Sequence, residues 1–177
     1  MSHDAPSAHR AYAPGKLRCA VLTVSDSRDA KSDSSGAEIE AQLGAAGHEI
    51  ALREIVRDDR FAIHEWVLKC VARPDVDALL VTGGTGVSPR DQTIEAVEPL
   101  LHRQLPGFGE LFRVLSFEEI GAAAMLSRAL AGSVERTAVF VMPGSRAAVK
   151  LALERLIVPE LPHLIGQLRR TDSAQGG

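Results

Sequence analysis

The sequence predicts a single α/β domain, a three-layer α/β/α sandwich around a mostly parallel sheet. Almost continuously apolar runs occur at 17–24 (LRCAVLTV), 78–81 and 137–141, as strands buried on both faces of a parallel sheet require. Each run gives way to a short stretch rich in Gly, Ser or Pro. Each such stretch is followed by apolar residues at helical spacing, the alternation that builds a sheet covered on both faces.

The elements follow in order. Residues 1–14 read as a flexible tail, lacking the basic flank and apolar stretch of a secretory signal. Leu17–Val24 forms the first strand. Ser35 and Glu38 fit a capping box that starts a helix at Gly36, with Ile39, Leu43 and Ala46 on one stripe and Gly47 as its stop. His48–Val56 is the second strand, and Phe61–Ala72 a helix with Ile63, Val67 and Val71 aligned, ended by Pro74. Ala78–Val81 is a short buried strand running into glycines, after which Gln92–Leu101 resumes helical spacing. Pro106–Gly132 reads as mostly helical, with Pro106, Gly107 and Gly109 breaking its start and Gly132 its end. Thr137–Val141 is the next strand. Val149, Leu153 and Leu156 mark a helix over Ser145–Val158, Pro159 interrupts it, and a last helix runs to about Leu168. The domain therefore spans 15–168, and 169–177 form a second flexible tail.

Composition narrows the function classes. At 177 residues with 45% hydrophobic and 24% charged content, the chain suits one soluble domain, and no apolar run is long enough to span a bilayer. A net charge of −3 gives no broad basic field for nucleic acid, so any phosphate must be held in a local pocket. Cys19 and Cys70 each sit in an apolar segment and read as reduced core residues of a cytoplasmic protein. His64, His102 and His163 form no pair at metal-ligand spacing, which argues against zinc.

In an open α/β sheet, ligands bind beyond the carboxyl ends of the strands, which selects three loops: 25–35, 82–91 and 142–145. The second, TGGTGVSPRD, is the most informative. Gly83, Gly84 and Gly86 let main-chain N–H groups approach a phosphate, and Thr82, Thr85 and Ser88 add hydroxyls. It is neither a P-loop nor a dinucleotide fingerprint. Asp91 is placed to cap the following helix, to bind a ligand, or both. Arg90 flanks the loop and is the arginine expected to meet phosphate, whereas Arg28, Arg113 and Arg146 are expected to be solvated.

TGGTG followed by Pro-Arg-Asp and a Thr resembles the signature of the MogA/MoaB family of molybdenum cofactor biosynthesis proteins. TVSDSR at 23–28, DSSG at 33–36, LPGFGELFR at 105–113, MLSRALAG at 125–132 and MPGS at 142–145 are similar to their counterparts there, in the same order over 17–168. The long 105–132 segment looks closer to the MoaB side. The resemblance implies a molybdopterin-binding, MogA-like fold and Mg²⁺-dependent transfer of AMP from ATP to the terminal phosphate of molybdopterin. It places the catalytic, metal-holding carboxylates at Asp91 and Asp58, with Asp59 as the alternative to Asp58. It assigns binding roles to Ser25, Asp26, Ser127 and the turn Pro143, Gly144 and Ser145, where Ser145 replaces the family's common Asn and Arg146 its common Pro.

Two functions compete at this point: a molybdopterin adenylyltransferase, and a non-catalytic pterin-binding protein or oligomeric scaffold on the same fold. The resemblance implies a homotrimer or homohexamer, and Phe108, Leu111 and Phe112 are the apolar residues expected at its interface. Implied partners are molybdopterin, ATP and other cofactor-biosynthesis proteins, not nucleic acid or membrane.

Overall fold

The structure, a computed structural model, describes residues 14–170. The expected tails fall mostly outside those residues. At the C-terminal end Arg169 still pairs with Asp77 and donates its N–H to Ile165 (3.1 Å). Six strands make one sheet: β1 (Arg18–Val24), β2 (Glu49–Val56), β3 (Ala78–Thr82), β4 (Arg103–Gln104), β5 (Leu130–Val134) and β6 (Thr137–Met142). Their order is β2-β1-β3-β6-β5-β4. The first four are mutually parallel, and β5 and β4 run antiparallel at one edge. The helices are α1 (Ser34–Ala45), α2 (Arg60–Val71), α3 (Thr93–Val97), α4 (Pro106–Ile120), α5 (Arg146–Ala152) and α6 (Val158–Leu168).

Alternate strand residues feed two cores, which is why the central strands are apolar throughout. Cys19, Val21, Ala78, Leu80, Ala138 and Phe140 pack toward α1, α4, α5 and α6. Ala20, Leu22, Leu79, Val81, Val139 and Val141 pack toward α2 and α3. Cys19 and Cys70 are buried free thiols, both pushed up to about 12, chiefly by burial. Among the described residues, no helix is long and apolar enough to cross a membrane.

Four expectations change. The cap of α1 is Asp33, whose side chain accepts from Gly36 N–H (2.9 Å), because Ser35 and Glu38 are engaged elsewhere, with Gly144 and Arg146. Gly132 ends no helix: the chain leaves α4, passes a 3₁₀ turn at Gly121–Leu126, and enters β5. There the β4 backbone at Arg103 comes too close to admit a Cβ, so glycine serves close strand approach. Pro159 does not break the last helix, since a π turn at Leu153–Ile157 carries the chain on and Pro159 falls in the first turn of α6. Phe108 and Phe112 are core residues, stacked at 6.3 Å, with Phe108 edge-on to Phe140 at 5.4 Å.

Candidate functional site

The C-terminal ends of β1, β3 and β6 lie side by side, with Thr23 opposite Thr82 and Thr82 opposite Met142. The three loops singled out in the sequence leave from these ends. They meet in a cleft of about 520 Å³ lined by Ser25, Gly83, Gly84, Thr85, Gly86, Asp91, Ser127, Pro143, Gly144 and Ser145, and also by Arg28. Of the other expected residues, Thr82 and Asp58 stand behind the glycine loop, Asp26 lines an adjoining cleft, and Ser88 lies farther along the loop.

What the cleft presents is decided by carbonyl groups. Among the described residues every peptide is trans, so the N–H of each residue points opposite to the preceding C=O. Thr93 takes two carbonyls, Gly83 through its hydroxyl (2.8 Å) and Gly84 through its N–H (3.0 Å). Arg128 takes Thr85 through Nε (2.9 Å) and the Thr82 hydroxyl takes Pro143 (3.0 Å). Gly144 receives both the Ser35 hydroxyl (2.7 Å) and Arg28 Nη2 (3.0 Å). The N–H groups of Gly84, Thr85, Gly86, Gly144 and Ser145 are thereby turned away from these donors. Among the described residues, none of the five donates to a protein acceptor. Main-chain donors lining one concavity form an anion-binding nest. Gly83 and Gly84 have φ of +97° and +61°, a backbone that L side chains rarely adopt, and a Cβ on Gly83 would fall on the Val24 carbonyl.

Behind the nest lies a group of acids. Asp58 Oδ1 accepts from Gln92 N–H (3.0 Å), and Oδ2 lies against Gly84, where a Cβ would come within 2.6 Å of it. Burial pushes the Asp58 carboxyl up, the Gln92 N–H partly offsets this, and Asp91 and Asp26 push it further. Asp59 instead caps α2 by accepting from Ala62 N–H (2.9 Å), so of the two adjacent acids it is Asp58 that faces the loop. Asp91 does not cap α3, which starts without a side-chain cap; its Oδ2 accepts from Ser88 N–H (2.9 Å) and closes the turn. The reason is local: its Oδ2 is committed to Ser88, and the Thr93 amide, which an Asp91 cap would take, already donates to the Gly84 carbonyl (3.0 Å).

The arginines reverse expectation. Arg28 is built in, bridging Ser35 and Gly144 while lining the cleft, whereas Arg90 is 79% exposed and pairs with Asp26. Sequence reasoning passed over two further residues. Arg128 is one; the only hint is that it follows Ser127. The other is Asp33, fully buried, accepting from Thr23 Oγ1 (2.8 Å), Gly36 N–H and Arg53 Nη2 (3.0 Å). Burial pushes its carboxyl up, but these bonds together hold it below the ordinary value. Asp33 thus ties β1, β2 and α1 beneath the loop that carries Arg28.

Among the described residues no group of three or more His, Cys, Asp or Glu side chains is placed to hold a metal. The donor set nevertheless fits the Mg²⁺ that the family implies. Mg²⁺ characteristically takes one or two carboxylates and fills its shell with water and substrate phosphate. Asp58 and Asp91 are two mutually repelling carboxylates beside the undonated amides of the glycine loop.

Residues 20–163 match the family described as "Probable molybdopterin binding domain". The chain is 50% identical over 163 residues to molybdenum cofactor biosynthesis protein B of Bacillus subtilis, covering 92% of this chain and 96% of that one. A crystal structure of a molybdenum cofactor biosynthesis protein B superposes with a TM-score of 0.87 at 48% identity, covering 90% of this chain and 99% of the other. A MogA structure superposes with a TM-score of 0.78 at 27% identity, covering 85% and 99%. The chain therefore belongs to the MogA/MoaB family of molybdopterin-binding domains, on its MoaB side.

Proposed function

We propose that the chain acts in molybdenum cofactor biosynthesis by adenylylating molybdopterin with Mg-ATP in the cytoplasm. The observation that carries this reading is the set of five undonated amides, with Asp91 in the same cleft and Asp58 behind the glycine loop, an arrangement suited to holding phosphate groups. An oxygen of the molybdopterin terminal phosphate attacks the α-phosphorus of ATP. A new P–O–P linkage forms, the α–β anhydride bond breaks, and pyrophosphate leaves with the electron pair. The nest N–H groups and Arg28 hold the phosphates, and positioning with fixed dipoles supplies the acceleration. Asp58 and Asp91 would hold Mg²⁺, which would supply charge neutralisation between the two polyanions. A second cleft of about 460 Å³ shares Ser25 and Arg28 with the first, leaving room for a second reactant beside it.

The test is pyrophosphate release from purified protein with molybdopterin, ATP and Mg²⁺. Release that depends on all three is expected. The similarity to B-type proteins favours one rival, a domain that binds the pterin without chemistry, and pterin binding with no release would establish it.

The reading includes a homotrimer or homohexamer. Its interface residues are Leu111, Val114, Phe117 and Ile120 on α4 with Met125 and Leu126 after it, all exposed. Phe117 is 61% and Met125 79% exposed, and Glu110, Arg113 and Glu118 line the same apolar cleft with charges of both signs. A surface of that kind suits a second copy of itself.

A further inference from the structure

Arg128 lines neither cleft, yet its guanidinium touches the glycine loop at two points. Nε donates to the Thr85 carbonyl (2.9 Å), Nη2 reaches the Asp91 carbonyl (3.4 Å), and Nη1 pairs with Glu95 of α3. Both carbonyls belong to peptides whose other side serves the site. Behind Thr85 C=O stands the Gly86 N–H, one of the five amides of the nest. Behind Asp91 C=O stands the Gln92 N–H, which donates to Asp58 Oδ1 at 3.0 Å. We infer that Arg128 is a positioning residue: by gripping the outer face of two peptides it aims one amide at the phosphate and another at Asp58. The inference rests on the anion-site reading above.

Charge attraction is the competing account, since any arginine near a phosphate site draws anions. The pairing with Glu95 separates the two. Glu95 neutralises the guanidinium and also anchors it, for the Glu95 carboxyl is held below its ordinary value first of all by the hydrogen bond from Arg128. Removing the Glu95 charge makes the region more positive while freeing the guanidinium to drift. Attraction and positioning therefore predict opposite signs for the same substitution.

The experiment uses the full chain with inorganic pyrophosphate as probe. Affinity is read by calorimetry, and the Gly86 and Gln92 amides by NMR. Glu95→Gln should weaken pyrophosphate binding several-fold despite the added positive charge. Arg128→Met should weaken it about tenfold, the loss expected from one misaimed charge-stabilising donor. Both should shift the two amide resonances. Arg128→Lys, able to reach one carbonyl but not hold both, should fall between Arg128→Met and wild type. Arg136→Met, an exposed charge at the β5–β6 turn on the opposite end of the sheet, should change nothing. Tighter binding in Glu95→Gln overturns the inference, as does unchanged affinity in Arg128→Met. If the wild type binds neither pyrophosphate nor molybdopterin, the anion site itself is refuted, a result distinct from an unaltered Arg128 variant.

Discussion

Gly84→Ala tests the nest most directly. The residue sits at φ +61°, where an L side chain costs about 1–2 kcal/mol. Its methyl would also press on the Thr93 hydroxyl and lie 2.6 Å from Asp58 Oδ2, an overpacking worth about 1–3 kcal/mol. Together these give a loss of about 2–5 kcal/mol, which a domain stable by about 5–15 kcal/mol survives in folded form. Function should suffer more than stability, because Thr93 is the residue that orients the Gly83 and Gly84 carbonyls. Two controls bracket it. Gly86→Ala meets only the Asp91 carboxyl, whose bond from Ser88 N–H it would disturb, and should cost about 1 kcal/mol. Gly44→Ala, inside α1 with open space around its Cβ, should stabilise by about 0.5–1 kcal/mol. Urea unfolding reads stability and calorimetry with pyrophosphate reads binding. A Gly84→Ala protein as stable as wild type, with undiminished affinity, would falsify the claim that this loop is shaped for a ligand.

Asp58→Asn and Asp91→Asn should each abolish pyrophosphate release while leaving molybdopterin affinity largely intact; full transfer in both variants removes them from the mechanism. Because the folded Asp58 carboxyl is raised, its charge costs stability above that raised value, so Asp58→Asn should unfold at higher temperature at pH 7. With the group partly solvated the gain is about 1 kcal/mol or less, a rise of about 2–4 °C at most. Burial pushes the His48 imidazole below its ordinary value against a weaker pull from Asp77, and its Nδ1 has no partner. Stability contributed by neutral His48 is present above about pH 6.5 and lost as pH falls below it, so urea midpoints should drop from pH 8 to 5.5, and less in His48→Leu. Phe117→Glu should convert the assembly to monomer in light scattering; a wild type already monomeric at micromolar concentration contradicts the proposed interface.

β1, β3 and β6 could be read from sequence because burial on both faces leaves an unbroken apolar run, and the glycine loop because φ above zero demands glycine. β5 could not. Its residues LAGSV are small, its pairing is to an edge strand of two residues, and its apolar pattern continues that of α4. Asp58 and Asp91 stand out by motif, but which of the adjacent acids Asp58 and Asp59 faces the loop and which caps a helix rests on two amides, Gln92 for Asp58 and Ala62 for Asp59. Arg128 was invisible for a related reason: its partner carbonyl is 43 residues distant, and a main-chain carbonyl leaves no mark on residue type. Of the three apolar residues expected on the surface of α4, Leu111 is exposed, whereas Phe108 and Phe112 share the apolar character of Phe117 but face the sheet.

A nest of main-chain amides reverses the usual relation between contact and constraint. A residue whose side chain borders the cleft, such as Thr85, contributes mostly its backbone and can change with little effect. The burden passes to Thr82, Thr93, Ser35 and Arg128, which hold the opposite ends of those peptides and can do so without touching phosphate. A search for altered specificity should therefore vary the rim and spare the holders. Substitutions that silence the protein from outside the cleft should cluster at these four positions.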